Sequence, residues 1–305
     1  MTPQTSPTPR RYFRWQPDQQ WEAYLFILPA LAMYALFVVL PIADSLRMSL
    51  LHWSSPLLPP EFCGLDNFRR LMSDSVFWHA AWHNLLLLAG SLLLQLPLAM
   101  AIALLLHQRT IARGLFRTAF FAPMIMPTAA IAVLWQYLYE PESGLLSSVI
   151  RCWQSDFVFP WLSDPGSALL WIFVTICWQY TGFHMVLYLA GLSTIPNDYY
   201  EAARIDGANE WQICWHIALP ALKPTIAISA TLSIIGSLKY FDLIYLMGGG
   251  LPEKSREVMA TYIYRLAFEQ NQGRYGYGSA AAVCLFVLAL AVVIPLQARQ
   301  LRTAS

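Results

Sequence analysis

The stretch EAARIDGANEWQICWHIALP, residues 201–220, is polar and contains a glycine, yet it lies between two long apolar runs. These runs cover residues 168–192 and 222–247. Each exceeds the roughly 20 helical residues needed to cross about 30 Å of hydrocarbon. We therefore interpret the stretch as a connection, outside the bilayer, between two membrane helices.

The composition of the whole chain is that of a membrane protein. Apolar residues make up 57% of its 305 residues and charged residues 12%, whereas an average soluble domain carries about 25% charged residues. Six runs have spanning length, at residues 24–46, 82–106, 116–138, 168–192, 222–247 and 279–296. A backbone in lipid must satisfy its hydrogen bonds internally, and the alternating pattern of a barrel is not seen. The sequence therefore predicts an all-α integral membrane protein with six transmembrane helices.

Basic residues near the N-terminus and in one short loop predict the orientation. They precede the first run and connect the second run to the third: Arg10, Arg11, Arg14, Arg109, Arg113 and Arg117. Short cytoplasmic segments carry the excess of positive charge in membrane proteins. We therefore expect a cytoplasmic tail at 1–23, a membrane domain at 24–298 and a second cytoplasmic tail at 299–305. The polar stretch then belongs to a cytoplasmic loop, residues 193–221.

Prolines interrupt several of the apolar runs. They include Pro29 and Pro41 in the first, Pro97 in the second, and Pro123 and Pro127 in the third. Kinked helices around a pathway would explain them, and so would the general tolerance of membrane helices for proline.

The first half of the cytoplasmic loop has the signals of a short helix. Pro196 is expected to end the preceding span. Asp198 and Glu201 have capping-box spacing, and Ile205 is the expected last residue of the helix. Gly207 can then supply the positive φ that a helix C-terminus commonly requires.

The second half of the loop has the signals of another helix. Asn209 and Gln212 repeat the capping-box spacing. An apolar stripe at helical spacing follows, formed by Trp211, Cys214, Trp215 and Ala218. Pro220 and Pro224 are expected to end this helix and begin the next span. On these grounds the loop is either an interfacial connector without a partner or an element that docks on one.

A family resemblance rests on the spacing of this loop. The order E-A-A, three residues, G, nine residues, I-x-L-P is met at Glu201, Ala202, Ala203, Gly207, Ile217, Leu219 and Pro220. It resembles the cytoplasmic EAA loop of permease subunits of binding-protein-dependent ABC importers. Cys214 and His216 depart from the residues common in that loop, and Cys63 departs from the family pattern in an outer segment.

Other stretches are similar to the sugar-type permeases of this family. They are residues 25–50, residues 62–87, FDLIYLMGGGLPEKS at 241–255 and TYIYRLAF at 261–268. The last two resemble the subfamily that imports oligosaccharides and related solutes such as glycerol 3-phosphate, and in particular the first of its two permease subunits.

The resemblance implies an ABC importer type I permease fold with an EAA coupling loop. Its residues for coupling to the ATPase would be Glu201, Ala202, Ala203, Asp206, Gly207, Ile217, Leu219 and Pro220. The implied partners are a second permease subunit, two nucleotide-binding subunits, a periplasmic or lipid-anchored solute-binding protein, and membrane lipid. A nucleic-acid partner is not expected. The implied location is the inner membrane of a bacterial or archaeal cell, with both termini cytoplasmic.

We do not expect an enzyme, a catalytic residue, a bound cofactor or a metal site in this chain. Lys254 follows a glycine run, but Glu253 stands where a phosphate-binding loop has glycine. ATP and Mg²⁺ would be used by the partner ATPase.

His79 and His83 have the spacing of a metal pair without a nearby acidic or cysteine partner, so we interpret them as interfacial histidines. Of the five cysteines, Cys63 and Cys152 could meet, but free thiols are favoured.

Polar residues within the fourth and fifth runs are candidates for a solute pathway. In the fourth run these are Gln179, Tyr180 and Phe183, which suit the hydroxyls and the apolar face of a sugar. In the fifth they are Ser233, Ser237 and Tyr240, in a stripe that begins at Ser229. The alternative for the serines is helix packing.

Three charged or titratable residues in these runs are open to more than one interpretation. Lys239 and Asp242 are expected to pair or to reach the interface, unless Lys239 serves a phosphorylated solute. His184 could face the pathway or a neighbouring helix.

The predicted function is import of a carbohydrate-type solute, namely an oligosaccharide, a sugar derivative or glycerol 3-phosphate. The alternative is a non-sugar solute such as a polyamine or phosphate ester. A membrane-embedded enzyme and a signalling subunit fit less well.

Overall fold

The computed structural model describes residues 20–54, 57, 59–108, 113–248, 255–269 and 274–304. Over these residues the chain is mostly helical, and β1 (Leu51–His52) pairs with β2 (Glu61–Phe62) in an antiparallel ladder. The chain divides into two units, residues 1–47 and 48–305. The site lies in the second unit.

The α-helical segments of the described residues are α1 (Gln20–Tyr34), α2 (Leu40–Ser49), α3 (Asp66–Met72), α4 (Ser75–Gly90), α5 (Leu96–Gln108), α6 (Arg113–Ile125), α7 (Thr128–Leu138), α8 (Leu145–Arg151), α9 (Ala168–Leu192), α10 (Asn197–Ile205), α11 (Glu210–Ile213), α12 (Leu219–Ala221), α13 (Lys223–Lys239), α14 (Asp242–Met247), α15 (Met259–Tyr264) and α16 (Tyr275–Ala304). Four π-helical turns join or extend them, at Ala35–Val39, Ser91–Gln95, Cys214–Ala218 and Arg265–Glu269.

Three of the π-helical turns end two residues before a proline, namely Pro41, Pro97 and Pro220. In each, the residue before the proline donates its N–H to the carbonyl five residues back: Leu40 to Ala35, Leu96 to Ser91 and Leu219 to Cys214. Proline has no N–H and crowds the carbonyl four residues before it. The wider π turn relieves that crowding without ending the helix.

Four helices of the described residues are long and apolar enough to cross a membrane: Tyr24–Ser49, Ser75–His107, Ala168–Leu192 and Tyr275–Ala298. Two bent pairs also qualify if each is counted as one span. Gly114–Ile125 and Thr128–Leu138 meet at 100°, and Glu210–Ala221 and Lys223–Lys239 meet at 68°. The described chain is thus a multi-pass membrane protein with four to six candidate spans, and the count of six stays a prediction.

Several helix bounds differ from the apolar runs, and the second span, for instance, begins at Ser75 and not at residue 82. The run at 116–138 is broken before α7, where Pro127 is the N-cap. The run at 222–247 is divided at Phe241, whose φ of −132° and ψ of −64° are not helical. The final helix continues to Ala304, so the tail predicted at 299–305 is helical as far as it is described.

Helix α9 is the centre of the second unit, packing against α5, α6 and α13. At Gly182 it approaches α6 so closely that an added Cβ would lie 1.8 Å from the carbonyl oxygen of Phe120. Its first half joins a core with Leu87, Ile131 and Leu243. Its second half joins a core of α5 residues together with Ala218 and Leu222. The helix therefore connects these two hydrophobic cores.

Buried and half-buried polar side chains hold the remaining helices of the unit together. Asn84 donates its amide to the carbonyl of Ser237, and its oxygen accepts from the N–H of Met259, at 2.9 and 2.8 Å. Asp74 accepts from the hydroxyls of Tyr262 and Tyr277, at 2.6 and 3.0 Å. The segments at the starts of α4, α15 and α16 are thereby fixed to one another and to α13.

Candidate functional site

The segment after α9, residues 193–221, forms two helices joined at a glycine, and we call it the two-helix segment. Its first helix, α10, ends at Ile205 as predicted, and Gly207 has a φ of +83°. The N–H of Gly207 donates to the carbonyl of Arg204 at 3.1 Å, and that of Ala208 to Ala203 at 2.9 Å. This pair of bonds is a Schellman motif, which satisfies the last carbonyls of α10.

The second helix of the two-helix segment begins with the predicted capping box. The N–H of Gln212 donates to Oδ1 of Asn209, and the N–H of Asn209 donates to Oε1 of Gln212, both at 2.8 Å. The prediction for Asp198 was wrong, because Pro196 is the N-cap of α10 and no side-chain cap bond forms there. Asp198 instead lies in the first turn, where its charge suits the helix dipole.

The second helix does not end at Pro220, because α11, its π turn and α12 run through to Ala221. Its predicted apolar stripe is also divided. Ala218 is buried in the core of α5 and α9, whereas Trp211 and Trp215 are 71% and 53% exposed. Ile213 is buried in their place. The π turn shifts the helical register between Trp211 and Ala218, so residues spaced for one α-helical face come to lie on two.

An ion pair joins the two helices across the glycine turn. Arg204 contacts Glu210 at 3.1 Å, and both side chains are about half exposed. Behind this pair lies a cavity of about 330 Å³ whose lining includes Glu201, Tyr200 and His107. Burial raises the pKa of Tyr200, and nearby Cys214 raises it further.

The residues predicted for coupling divide into an exposed and a partly buried group. Glu201, Ala202, Asp206, Gly207 and Pro220 are exposed, and Ala203, Ile217 and Leu219 are half-buried. Four of them, Ala203, Asp206, Gly207 and Ile217, line a second cavity of about 340 Å³ between the two helices. The segment thus presents a shaped surface of small and polar groups.

A third cavity, of about 350 Å³, lies between α9 and α13, and we call it the central cavity. Four of the six residues predicted for a pathway line it: Tyr180, Phe183, Ser233 and Tyr240. Lys239, Phe241, Asp242 and His184 line it as well. The rings of Tyr180 and Tyr240 are 6.2 Å apart, centroid to centroid.

The other two predicted pathway residues are not among those that line the central cavity. Ser237 donates to Oγ of Ser91 at 3.3 Å and is fully buried. Gln179 is 2% exposed, and its Oε1 has no hydrogen-bond partner among the described residues. Ser229 contacts Nδ1 of His184 at 2.8 Å. The serine stripe therefore serves packing at Ser229 and Ser237 and the cavity at Ser233.

Comparison with known proteins decides the family. Residues 95–302 match the family model described as binding-protein-dependent transport system inner membrane component. The chain belongs to this family of ABC importer permeases.

Individual permeases extend the similarity beyond the family model. A probable ABC transporter permease, YurN of Bacillus subtilis, is 34% identical over 88% of this chain and 92% of its own length. The trehalose/maltose transport system permease MalF of Thermococcus litoralis is 36% identical over 89% and 90%. A solved bacterial alginate ABC transporter, in complex with an alginate pentasaccharide-bound periplasmic protein, contains a chain that is 26% identical. That chain superposes with a TM-score of 0.80 over 92% of this permease and 93% of its own length.

Sequence reasoning did not place Asp242 in the permease's central cavity, and it placed Lys239 near the solute only if that solute is phosphorylated. The spacing of the two residues suggested a mutual pair or a position at the interface, but no ion pair joins them within the described ranges. The signal that could have placed them was the interruption of the fifth run. Tyr240 and Phe241 leave helical geometry there, and the charged residues on either side line the cavity together.

The histidines and cysteines make ordinary contacts in the permease. Nδ1 of His79 contacts the carbonyl of Ser75, and Nδ1 of His83 that of Glu257, at 2.6 and 2.8 Å. The five cysteines are free thiols, Cys63 and Cys152 included. Lys254 and Arg109 lie outside the described residues.

Proposed function

We propose that this permease is the inner-membrane subunit of an ATP-driven importer that moves a carbohydrate-type solute across the membrane. The observation that carries the proposal is the lining of the central cavity. Tyr180, Phe183 and Tyr240 offer aromatic rings beside the hydroxyl of Ser233 and the charged groups of Lys239 and Asp242. Aromatic rings pack on the apolar face of a sugar, and the polar groups can bond its hydroxyls.

Energy from ATP hydrolysis would reach the permease through the two-helix segment. We propose that it is an EAA coupling loop, docked on a separate ATPase that uses ATP and Mg²⁺. Glu201, Ala202 and Asp206 would make the polar and close contacts, and Gly207 would set the angle between the helices. Ile217, Leu219 and Pro220 would connect the second helix to α13. The Schellman motif and the capping box support this role because they hold both helices in fixed positions.

The assembly that this role requires has several parts. It comprises a second permease subunit, two ATPase subunits and a solute-binding protein. Six spans with both termini in the cytoplasm would place residues 48–81 and 248–278 on the outer face. The solved alginate transporter, whose periplasmic protein carries its solute, supports the solute-binding partner.

The alternative is import of a polyamine or a phosphate ester, and the charges of the central cavity allow a direct comparison. The experiment uses the complete importer in lipid nanodiscs and follows ATP hydrolysis. Its solute-binding protein is added after loading with maltose, maltotriose, glycerol 3-phosphate or putrescine. We expect stimulation with a carbohydrate and none with putrescine. Stimulation by putrescine alone would contradict the proposal.

Cavity variants test the pathway separately. Tyr180→Ala and Phe183→Ala should reduce uptake of the carbohydrate in whole cells by about tenfold or more, because each removes a ring from the cavity wall. Leu170→Ala on the same helix is the matched control, since Leu170 is 53% exposed and is not part of the cavity lining. Normal uptake by both cavity variants would place the pathway elsewhere.

A further inference from the structure

A basic pocket lies where the segment between α2 and α4 meets the first turn of α16. Its volume is about 420 Å³, and it is lined by His52, Trp53, Ser54, Asn67, Arg70, Arg274 and Tyr277. Two arginines and a histidine thus converge, and none of the described lining residues is a carboxylate. Neither the coupling role nor the central cavity accounts for this concentration of positive charge.

The walls of the basic pocket are fixed by buried backbone contacts. Asn67 is 2% exposed and donates its amide to the carbonyls of Ser49 and Leu51, each at 2.9 Å. The N–H of Gly276 donates to the carbonyl of Trp53 at 3.3 Å. A Cβ at Gly276 would lie 1.9 Å from the carbonyl oxygen of Leu51, so only glycine permits this approach. The backbone frame of the pocket is therefore preformed, which reduces the entropic cost of binding.

The positive charge of the basic pocket is weakly compensated. Arg70 contacts Asp66 at 2.8 Å, but the two side chains are 58% and 41% exposed, and exposed pairs of this kind contribute little. Arg274 forms no ion pair with any carboxylate that the structure describes. Arginine binds carboxylates through two parallel hydrogen bonds, so an incoming carboxylate can engage either guanidinium.

We propose that the basic pocket receives an acidic side chain of the solute-binding protein when that protein docks on the permease. This proposal rests on the proposed function, which puts both contributing segments on the outer face. The pocket is built from connections between helices and from a helix end. A docking protein reaches such elements, whereas lipid contacts mainly the spans. Charge complementarity of this kind accelerates encounter and fixes the orientation of the partner.

The test is a titration of the complete importer in nanodiscs with its purified, solute-loaded binding protein, followed by ATP hydrolysis. For Arg70→Ala/Arg274→Ala we expect the half-maximal concentration of binding protein to rise about tenfold, and the rise to shrink at high salt. The variant Arg70→Ala/Arg274→Lys keeps a positive charge at position 274 and should recover part of the affinity that the double alanine variant loses. Arg69→Ala is the matched control, because Arg69 is the exposed neighbour of Arg70 on α3 and does not line the pocket.

The outcomes separate this inference from the proposed function. If the binding protein fails to stimulate the wild-type importer, the proposed function falls and the docking site with it. If the wild type is stimulated and the double variant has an unchanged half-maximal concentration, the docking site alone is overturned. The docking site is also overturned if the double variant differs from wild type only in nanodiscs that contain phosphatidylglycerol in addition to phosphatidylcholine. In that case the pocket holds a lipid headgroup.

Discussion

The turn between the two helices of the two-helix segment depends on one residue, Gly207. Its φ of +83° is in the left-handed region, and a Cβ built there would meet no atom within 4 Å. A substitution at Gly207 is therefore strained by backbone conformation alone, and not by crowding. For a residue other than glycine that conformation costs roughly 1–2 kcal/mol, and the cost is lower for asparagine than for alanine or valine.

The first prediction concerns substitutions at Gly207. ATP hydrolysis that is stimulated by the binding protein should fall in the order glycine, asparagine, alanine, valine, because each step makes the Schellman turn less stable. The measurement compares stimulated hydrolysis in complexes purified through the ATPase subunit. Gly114→Val is the control, since Gly114 also has open space around it and a φ outside the left-handed region. Full stimulation in Gly207→Val complexes would contradict this account of the turn.

Asp74 is the residue where protonation should affect stability. It caps α4 through the N–H of Val76 at 2.8 Å and accepts from the hydroxyls of Tyr262 and Tyr277. Burial alone would raise the pKa of this carboxyl, but the four hydrogen bonds that it accepts lower it below its usual value. A carboxyl with a depressed folded-state pKa stabilises the protein above its unfolded pKa, about 3.9. That stabilisation is lost as the pH falls through the folded-state pKa.

The second prediction concerns the stability that the ionised Asp74 contributes. Asp74→Asn keeps an acceptor oxygen and the helix cap but loses the negative charge, so it should lower the free energy of unfolding by about 1 kcal/mol at pH 7. The difference from wild type should begin to shrink as the pH falls to the unfolded pKa, about 3.9, and should disappear only below the lower folded-state pKa, where Asp74 is itself protonated. Thermal unfolding in detergent between pH 7 and pH 3 measures it. The exposed Asp156→Asn is the control, and a gap that does not shrink at all between pH 7 and pH 3 would exclude the charge as its cause.

At the scale of the elements, the contact of α9 with α6 depends on Gly182. No side chain has room there, because the carbonyl of Phe120 occupies the position of the Cβ. Backbone cannot turn away as a flexible side chain can, so the two helices would have to separate. The central cavity includes residues on both sides of Gly182, namely Tyr180 and Phe183.

The third prediction is that Gly182→Ala destabilises the permease by about 1–3 kcal/mol or more, as overpacking does in other cores. Gly236→Ala is the matched control, because a Cβ at Gly236 meets no atom within 4 Å and alanine favours the helix. Melting temperatures of the two purified variants provide the measurement. A Gly182→Ala variant that melts with wild type would show that α6 and α9 are not in this close contact.

Much of the fold followed from the lengths of the apolar runs and from local signals. The fourth run coincides with α9, and the glycine turn and the second capping box were both predicted from short-range spacing. The break at Pro127 matches one of the two alternatives given for the prolines of the third run, a kinked helix. The break at Phe241 was not predicted, because the run lengths alone do not show where a helix bends. The division of the apolar stripe at Trp211 and Trp215 was also missed, since it depends on a π turn that helical spacing does not include.

The candidate site was less predictable than the fold. Ser229, Ser233 and Ser237 share one spacing, yet only Ser233 lines the central cavity, because Ser91 and His184 occupy the space beside the other two. Those neighbours are more than 40 residues away in the chain. Spacing within one helix indicates a face, but the helices packed on that face decide what each residue contacts.

At the scale of the whole second unit, three features lie along the course of α9. The start of the helix belongs to an aromatic core with Tyr139, Trp161 and Trp171. Its middle lines the central cavity, and its last turn precedes the two-helix segment. A single helix of 25 residues thus connects the proposed pathway to the proposed point of energy input.

The central claim is that the two-helix segment is the part of this permease that contacts the ATPase. A photoreactive amino acid at Ile205, which is 86% exposed, tests it in membranes that contain the complete importer. The control is the same amino acid at Trp153, 84% exposed and in a segment expected on the opposite face. The account predicts a light-dependent adduct with the ATPase from position 205 and none from position 153. An ATPase adduct from position 153 and not from 205 would contradict it.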